Sequence, residues 1–296
     1  ELIFDIDPAI PPMLVGDPLR LGQVLANLLS NAIKFTEHGD IVLQCRCSAQ
    51  TAERATLRFA VSDTGIGMSA DQVSRLFGAF SQADNSISRR FGGSGLGLAI
   101  SQRLTQLMGS EISVASQPDA GSIFSFSLDL AVSHSPLPAH RQPNQDWQQQ
   151  RALVVDDNQT AAEILRDMLQ HFGFVTDMAF SGPAGLAHLR QASASGQPYA
   201  LLLCDWKMPD MDGTEVVRQL FDDQDFGAPP AIVMVSAFET DVLRQRLEDA
   251  QLTQVGILAK PVSPSTLYDQ IAQVINSGDA AGGQRQAVRQ ANLNLQ

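Results

Sequence analysis

The amino-acid sequence predicts an α/β protein made of two successive modules: a two-layer α/β sandwich, then a five-stranded parallel doubly wound domain. Three observations carry this expectation. Residues 1–130 combine strands of alternating polarity with amphipathic helices, the pattern of one sheet with helices laid on one side. Residues 151–276 alternate short continuous apolar runs with helical segments, which calls for strands buried on both faces. Between them, residues 131–150 are dominated by Ser, Pro, His and Gln and read as a linker.

In chain order, Glu1 to Asp7 alternates Leu2, Phe4 and Ile6 and reads as an edge strand, ended by Pro8 and Pro11-Pro12. A helix follows from about Asp17 to Phe35, with Asp17 as cap and Pro18 at its first position. Stepping about 100° per residue, Arg20, Gln23, Asn27, Ser30, Asn31 and Lys34 form one polar stripe, and Leu21, Val24, Leu25, Leu28, Leu29, Ile33 and Phe35 cover the other side. The stripe holds amides, a hydroxyl and cations but no carboxylate. Amide oxygens can coordinate a hard divalent cation, and a lysine can reach phosphate. Taken alone, an ordinary amphipathic helix with an uncommon polar face explains the pattern equally well.

Residues 41–47 and 56–62 alternate as two strands, with Asp63-Thr-Gly-Ile-Gly-Met68 at the end of the second. A short helix spans about 69–77. Residues 78–97, rich in Gly, Ser, Asn and Arg, have the character of a lid, ending in Gly92-Gly-Ser-Gly-Leu-Gly97 at the start of a helix from Leu98 to Met108. Residues 111–115 and 122–130 pair around Pro118-Asp119-Ala-Gly121. In the second module, strands fall at about 152–155, 174–179, 199–204, 231–235 and 255–259. Helices fall at about 159–172, 182–192, 213–221, 239–250 and 264–276. The tail, 277–296, has little to bury and is either disordered or a tether.

Composition excludes several classes. The formal net charge is −12 and no basic face stands out, so nucleic acid is not an expected partner. Three cysteines without a CxxC pair argue against a zinc site and suit a reducing compartment. No apolar run approaches the ~18 residues of a membrane span. The chain opens at Glu1 without a signal peptide, and the expectation is a piece of a longer cytoplasmic protein, with anchoring of that parent in the inner membrane left open.

In a parallel α/β sheet the carboxyl ends of the strands form the site. Asp156, Asp157, Asp205, Ser236 and Lys260 all fall at that edge. Converging carboxylates repel, and tolerate one another best around Mg²⁺, which takes oxygen ligands. Lys260 adds a positive charge and Ser236 a hydroxyl able to bond a phosphoryl oxygen. A carboxylate nucleophile in this setting suits in-line attack on phosphorus.

The strings NLLSNAIKF, DTGIGM, LFGAFSQAD and GGSGLGLAI, in that order, resemble the N, G1, F and G2 boxes of a sensor histidine kinase ATP-binding domain, from the superfamily that includes gyrase and heat-shock-90 ATPases. The strings LVVDDN, LLLCDWKMPDMDG, VMVSA and LAKP resemble a response-regulator receiver domain. Together they resemble a hybrid sensor histidine kinase lacking its phosphoacceptor-histidine and dimerisation segment. The resemblance implies ATP and Mg²⁺ as cofactors. It implies Asn31 as the Mg²⁺ ligand of the nucleotide, Asn27 and Lys34 near the phosphates, Asp63 as acceptor for the adenine amino group, and Gly65 and Gly67 allowing approach to the base. Gly93, Gly95, Leu96 and Gly97 would let the lid fold over the triphosphate, with one of Arg89 and Arg90, or neither, touching it. Phe77 and Phe80 would be core or lid anchors. In the receiver it implies Asp205 as phosphoacceptor, Asp157 as direct and Asp156 as water-mediated metal ligand, the Lys207 carbonyl as a further ligand, Ser236 as switch hydroxyl and Lys260 as phosphate-binding lysine. Receivers often carry Tyr or Phe three positions before that lysine; here Ile257 stands there.

None of His38, His134, His140, His171 and His188 has the His-Glu context of a phosphoacceptor. The implied partners are therefore a phosphohistidine-bearing dimerisation domain of the same protein and a downstream histidine phosphotransfer protein or domain. Two alternatives stay open: a superfamily ATPase driving a conformational clamp, and a receiver that only binds and gates.

Overall fold

The computed structural model describes residues 1–77, 97–133, 147–223, 226, 229–237, 240–252 and 254–276. The chain divides into two units, Glu1–Arg141 and Gln142–Gln296, each with its own core.

The first unit is one mixed sheet with helices packed on it. Its elements are β1 (Leu2–Ile6), β2 (Leu14–Val15), α1 (Pro18–Phe35), β3 (Ile41–Gln50), β4 (Arg54–Asp63), α2 (Ala70–Arg75), α3 (Gly97–Leu107), β5 (Ser113–Ser116) and β6 (Ser122–Val132). The strand order is β1-β3-β4-β6-β2, with β5 also pairing β6. β1 is the edge strand the sequence predicts, and its pairing with β3 is parallel while the other pairings are antiparallel. The two-residue β2 is too short to show in a pattern of alternation.

α1 forms where its signals place it. The Asp17 carboxylate accepts the Arg20 N–H at 3.1 Å, and Pro18 occupies the first turn. Val24, Leu28 and Ala32, one turn apart, are its buried residues. Burying a leucine of this kind contributes about 2 kcal/mol. They meet Leu43, Cys45, Phe59, Val61 and Phe126 of the sheet in one cluster. Ile33, assigned to the apolar side by the wheel, is exposed instead. The stripe facing the sheet is narrower than the run of apolar residues.

The second unit contains β7 (Arg151–Val155), α4 (Gln159–His171), β8 (Val175–Ala179), α5 (Gly182–Ala194), β9 (Leu201–Asp205), α6 (Gly213–Asp222), β10 (Ala231–Ser236), α7 (Thr240–Asp249) and β11 (Val255–Ala259). A final helix, α8, covers residues 264–276. The five strands are all parallel, in the order β11-β10-β9-β7-β8. Alternate residues of one strand feed two cores. Leu153, Val155, Leu202 and Cys204 pack with α5, α6 and α7, while Ala152, Val154, Leu201 and Leu203 pack with α4 and α8. Burial on both faces is why β7 and β9 read as continuous apolar runs.

This unit begins before Arg151. Trp147, read from the sequence as part of the linker, is 1% exposed. Its ring lies 4.8 Å from that of Tyr268, 5.6 Å from Phe174 and 6.4 Å from Phe172. The Gln149 N–H donates to the Gly173 carbonyl, and the Val175 N–H to that of Gln150. A lone tryptophan in a polar segment carries no periodicity, so only the fold shows its seat.

Candidate functional site

In the first unit, the carboxyl end of α1 meets the β4–α2 loop, and the middle of α1 meets the start of α3. The Phe35 carbonyl accepts the Ile66 N–H at 3.3 Å, and the Thr64 N–H donates to the Asp40 carbonyl at 3.1 Å. A Cβ on Gly65 would stand 2.3 Å from the Phe35 carbonyl oxygen, and one on Gly67, which has φ +60°, 1.8 Å from that of Gln117. The glycines at 65 and 67 are therefore required by backbone packing within the protein, a reason the motif spacing does not reveal. Asp63 is half-buried. Its Oδ1 accepts the Gly65 N–H at 2.9 Å, and burial raises its pKa above the ordinary carboxylate value despite that bond and one from the Ser122 N–H.

Of the stripe residues, Asn27 donates from Nδ2 to the Ser101 hydroxyl of α3 at 2.8 Å. Ser101 is 1% exposed. A Cβ on Gly97 would lie 2.3 Å from Asn27 Oδ1, so Gly97 admits the amide at the start of α3. Asn31 and Lys34 are partly exposed on the same stripe, and Lys34 Nζ stands 5.0 Å from the centroid of the Phe35 ring. Phe77 packs against the first unit's core. Gly93, Gly95, Leu96, Arg89, Arg90 and Phe80 lie outside the described residues. Sequence reasoning missed Ser101. Its signal is a small polar residue four positions after Gly97, one turn along the helix face that meets α1.

In the second unit, β7 and β9 are neighbours at the point where strand order reverses; Asp156 and Asp157 directly follow β7, and Asp205 ends β9. Carboxylate oxygens of Asp156, Asp157 and Asp205 lie within 4.8 Å of one another. Asp156 and Asp205 are buried, at 1% and 7% exposure, and Asp157 is open to solvent. Lys260 Nζ sits 2.6 Å from Asp205 Oδ1 and 3.1 Å from Asp156 Oδ2. One cation between three carboxylates leaves net negative charge, and the all-oxygen donor set fits a hard divalent cation. Ser236 ends β10, buried, and its carbonyl accepts the Lys260 N–H at 2.7 Å. The structure thus brings Asp156, Asp157, Asp205, Ser236 and Lys260 to one edge.

The Lys207 side chain turns to Trp206, with Nζ 5.0 Å from the ring centroid. Arg246 of α7 stands 5.6 Å from the same ring and 3.6 Å from Asp212 Oδ2. Trp206 is buried beside Asp205 and also went unnoticed as a sequence signal. Ile257, three positions before Lys260, packs against the second unit's core. Burial raises the Cys45 thiol to about 12 and raises Cys204 as well, so both stay protonated.

Residues 16–132 match the family described as histidine kinase-, DNA gyrase B- and HSP90-like ATPase, and residues 152–272 match the response regulator receiver domain. The chain joins a histidine-kinase-type ATPase domain to a receiver domain. This is the domain pair of hybrid sensor histidine kinases. The chain is 46% identical over 176 residues to the sensor protein GacS of Pseudomonas syringae pv. syringae, covering 60% of this chain and 19% of that protein. It is 33% identical over 267 residues to the sensor protein TorS of Escherichia coli K12, covering 90% and 27%. It is 32% identical over 297 residues to the sensory/regulatory protein RpfC of Xanthomonas campestris pv. campestris, covering 90% and 40%. The chain thus spans less than half the length of these relatives. Among the described residues, no helix of either domain is long and apolar enough to cross a membrane.

Proposed function

We propose that this chain is the ATP-binding and receiver portion of a cytoplasmic phosphorelay. In this reading ATP is bound for phosphorylation of a histidine other than the five in this chain, and the phosphoryl group then passes to Asp205. The observation that carries the reading is the Lys260 ammonium held between Asp205 and Asp156 in a crevice of three carboxylates. Such a crevice has little structural use. It brings like charges together, and needs a cation to be stable.

In the receiver, Asp156, Asp157, Asp205 and the Lys207 carbonyl would hold Mg²⁺, which supplies positive charge for phosphoryl oxygens. Asp205 is the nucleophile. Its carboxylate oxygen forms the new O–P bond as the N–P bond of a phosphohistidine breaks, and the departing imidazole takes a proton. Lys260 then pairs with a phosphoryl oxygen in place of a carboxylate, and the Ser236 hydroxyl donates to another.

In the ATPase domain, Asn31 would hold the metal that accompanies ATP, and Asn27 and Lys34 would face its phosphates. Asp63 would accept from the adenine amino group, and Gly93, Gly95, Leu96 and Gly97 would carry the backbone across the triphosphate. A downstream phosphotransfer protein would take the group from Asp205. A clamp ATPase finds no support on α1, whose 18 residues contain no carboxylate to act as base toward water.

Equilibrium binding of MgATP to the purified chain tests the first half. Binding is expected for wild type, with a loss of about tenfold or more in Asp63→Ala and Asn31→Ala, the order expected when a positioned polar contact is removed. Wild-type chain that ignores adenine nucleotides contradicts the reading.

A further inference from the structure

The turn between β5 and β6 grips the β4–α2 loop at several points. The Asp119 N–H donates to the Ile66 carbonyl at 2.8 Å. A Cβ on Gly121, which has φ +85°, would stand 1.9 Å from the Asp63 carbonyl oxygen, so strand and turn are in backbone contact there. At the centre lies Ser116, the last residue of β5. Its hydroxyl donates to the Gly121 carbonyl at 2.9 Å and accepts the Met68 N–H at 2.8 Å. Ser122 Oγ lies 3.0 Å away. With its proton on Gly121, Ser116 accepts from Ser122, and one hydroxyl then uses its donor and both lone pairs. Ser122 is buried, faces Asp63 across the ladder, and its N–H bonds the Asp63 carboxylate.

We propose that Ser116 is the positioning residue that sets base selectivity in the ATPase domain. Through Met68 it holds the far end of the Asp63–Met68 loop, and through Gly121 and Ser122 it holds the strand that bonds the Asp63 side chain. The inference rests on the reading of Asp63 as acceptor for the adenine amino group. A carboxylate fixed by the N–H groups of Gly65 and Ser122 presents its remaining lone pairs in one direction. An amino group at the base edge satisfies them, whereas a carbonyl oxygen there, as in guanine, meets like charge. Freed from Ser116, the loop lets Asp63 shift, and the distinction between the two bases weakens.

The test compares MgATP and MgGTP binding to the full 296-residue chain for wild type, Ser116→Ala and Ser116→Thr, with melting temperatures recorded alongside. Ser116→Ala is expected to weaken MgATP binding by roughly tenfold, MgGTP much less, so that the ATP-over-GTP ratio falls. Ser116→Thr, which keeps the hydroxyl, restores the ratio. An unchanged ratio in Ser116→Ala, whether both affinities hold or both fall together, overturns the proposal. If Ser116→Ala does not fold, Ser122→Ala is read instead; it removes one hydroxyl but keeps the N–H, and a smaller fall in the same ratio is expected, with no fall overturning the proposal. Wild type that binds neither nucleotide removes the reading of Asp63 itself, an outcome distinct from a binding site whose selectivity ignores Ser116.

Discussion

Lys260 carries the sharpest expectation for a single residue. Its ammonium pairs with two buried carboxylates, and Lys260→Met would leave them facing each other. Removing one partner of a buried ion pair costs about 3 kcal/mol or more. The variant should lose about that much stability in denaturant titrations without divalent cation, and regain part of it with excess Mg²⁺. A loss indifferent to Mg²⁺ would count against a metal site formed by the aspartates. Asp63 makes a pH prediction. Its pKa is raised by burial, and only the ionised form accepts a hydrogen bond on both oxygens. MgATP affinity should therefore fall with decreasing pH from a point above the ordinary carboxylate range, and Asp63→Asn should flatten that profile. Asp177 behaves oppositely. Burial would raise its pKa, but bonds from Tyr199 at 2.7 Å and Arg151 at 2.6 Å outweigh it and lower the value. Its stabilising contribution is present above the unfolded carboxylate pKa and is lost as pH falls through the lowered folded value. Tyr199→Phe should cost about 1 kcal/mol at neutral pH and less at strongly acid pH, measured by urea unfolding.

Among elements, those with strong periodicity and caps are the ones the sequence announces. Asp17-Pro18 starts α1, Ser181 and Asp212 cap α5 and α6, and the apolar runs of β7 and β9 mark a two-faced sheet. What stays hidden depends on contacts between distant residues. β2 has two residues and exists only by pairing with β6. Trp147 lies in a polar stretch, and its burial needs Phe172 and Phe174 from the turn between α4 and β8 and Tyr268 from α8. Its seat predicts that Trp147→Ala destabilises the receiver by about 3 kcal/mol, the usual cost of truncating a buried aromatic. Urea unfolding followed by far-UV circular dichroism would measure it. An unchanged midpoint would return Trp147 to the linker.

On the scale of the whole molecule, the chain has two units with separate cores, and the proposed function gives each unit a site of its own chemistry. The convergence of the receiver's acidic crevice was legible, because a parallel sheet fixes which residues reach its carboxyl edge: five positions scattered over 105 residues meet there once the strands are counted. The proposed nucleotide site was legible as motifs, but the contacts among its residues were not. The sequence offered Asn27, Asp63 and the glycines, yet not that Ser101 holds the Asn27 amide or that Gly65 and Gly67 answer to backbone carbonyls. Those relations join α1 to α3 and one loop to another, and no local pattern records them. The most direct test of the claim that carries the account, a phosphoacceptor in the receiver's acidic crevice, is the intact mass of the chain after incubation with acetyl phosphate and Mg²⁺. The account predicts one added phosphoryl group, labile as an acyl phosphate, absent without the metal and absent in Asp205→Asn. A phosphoryl mass shift that persists in Asp205→Asn, or wild type that never gains it, would contradict it.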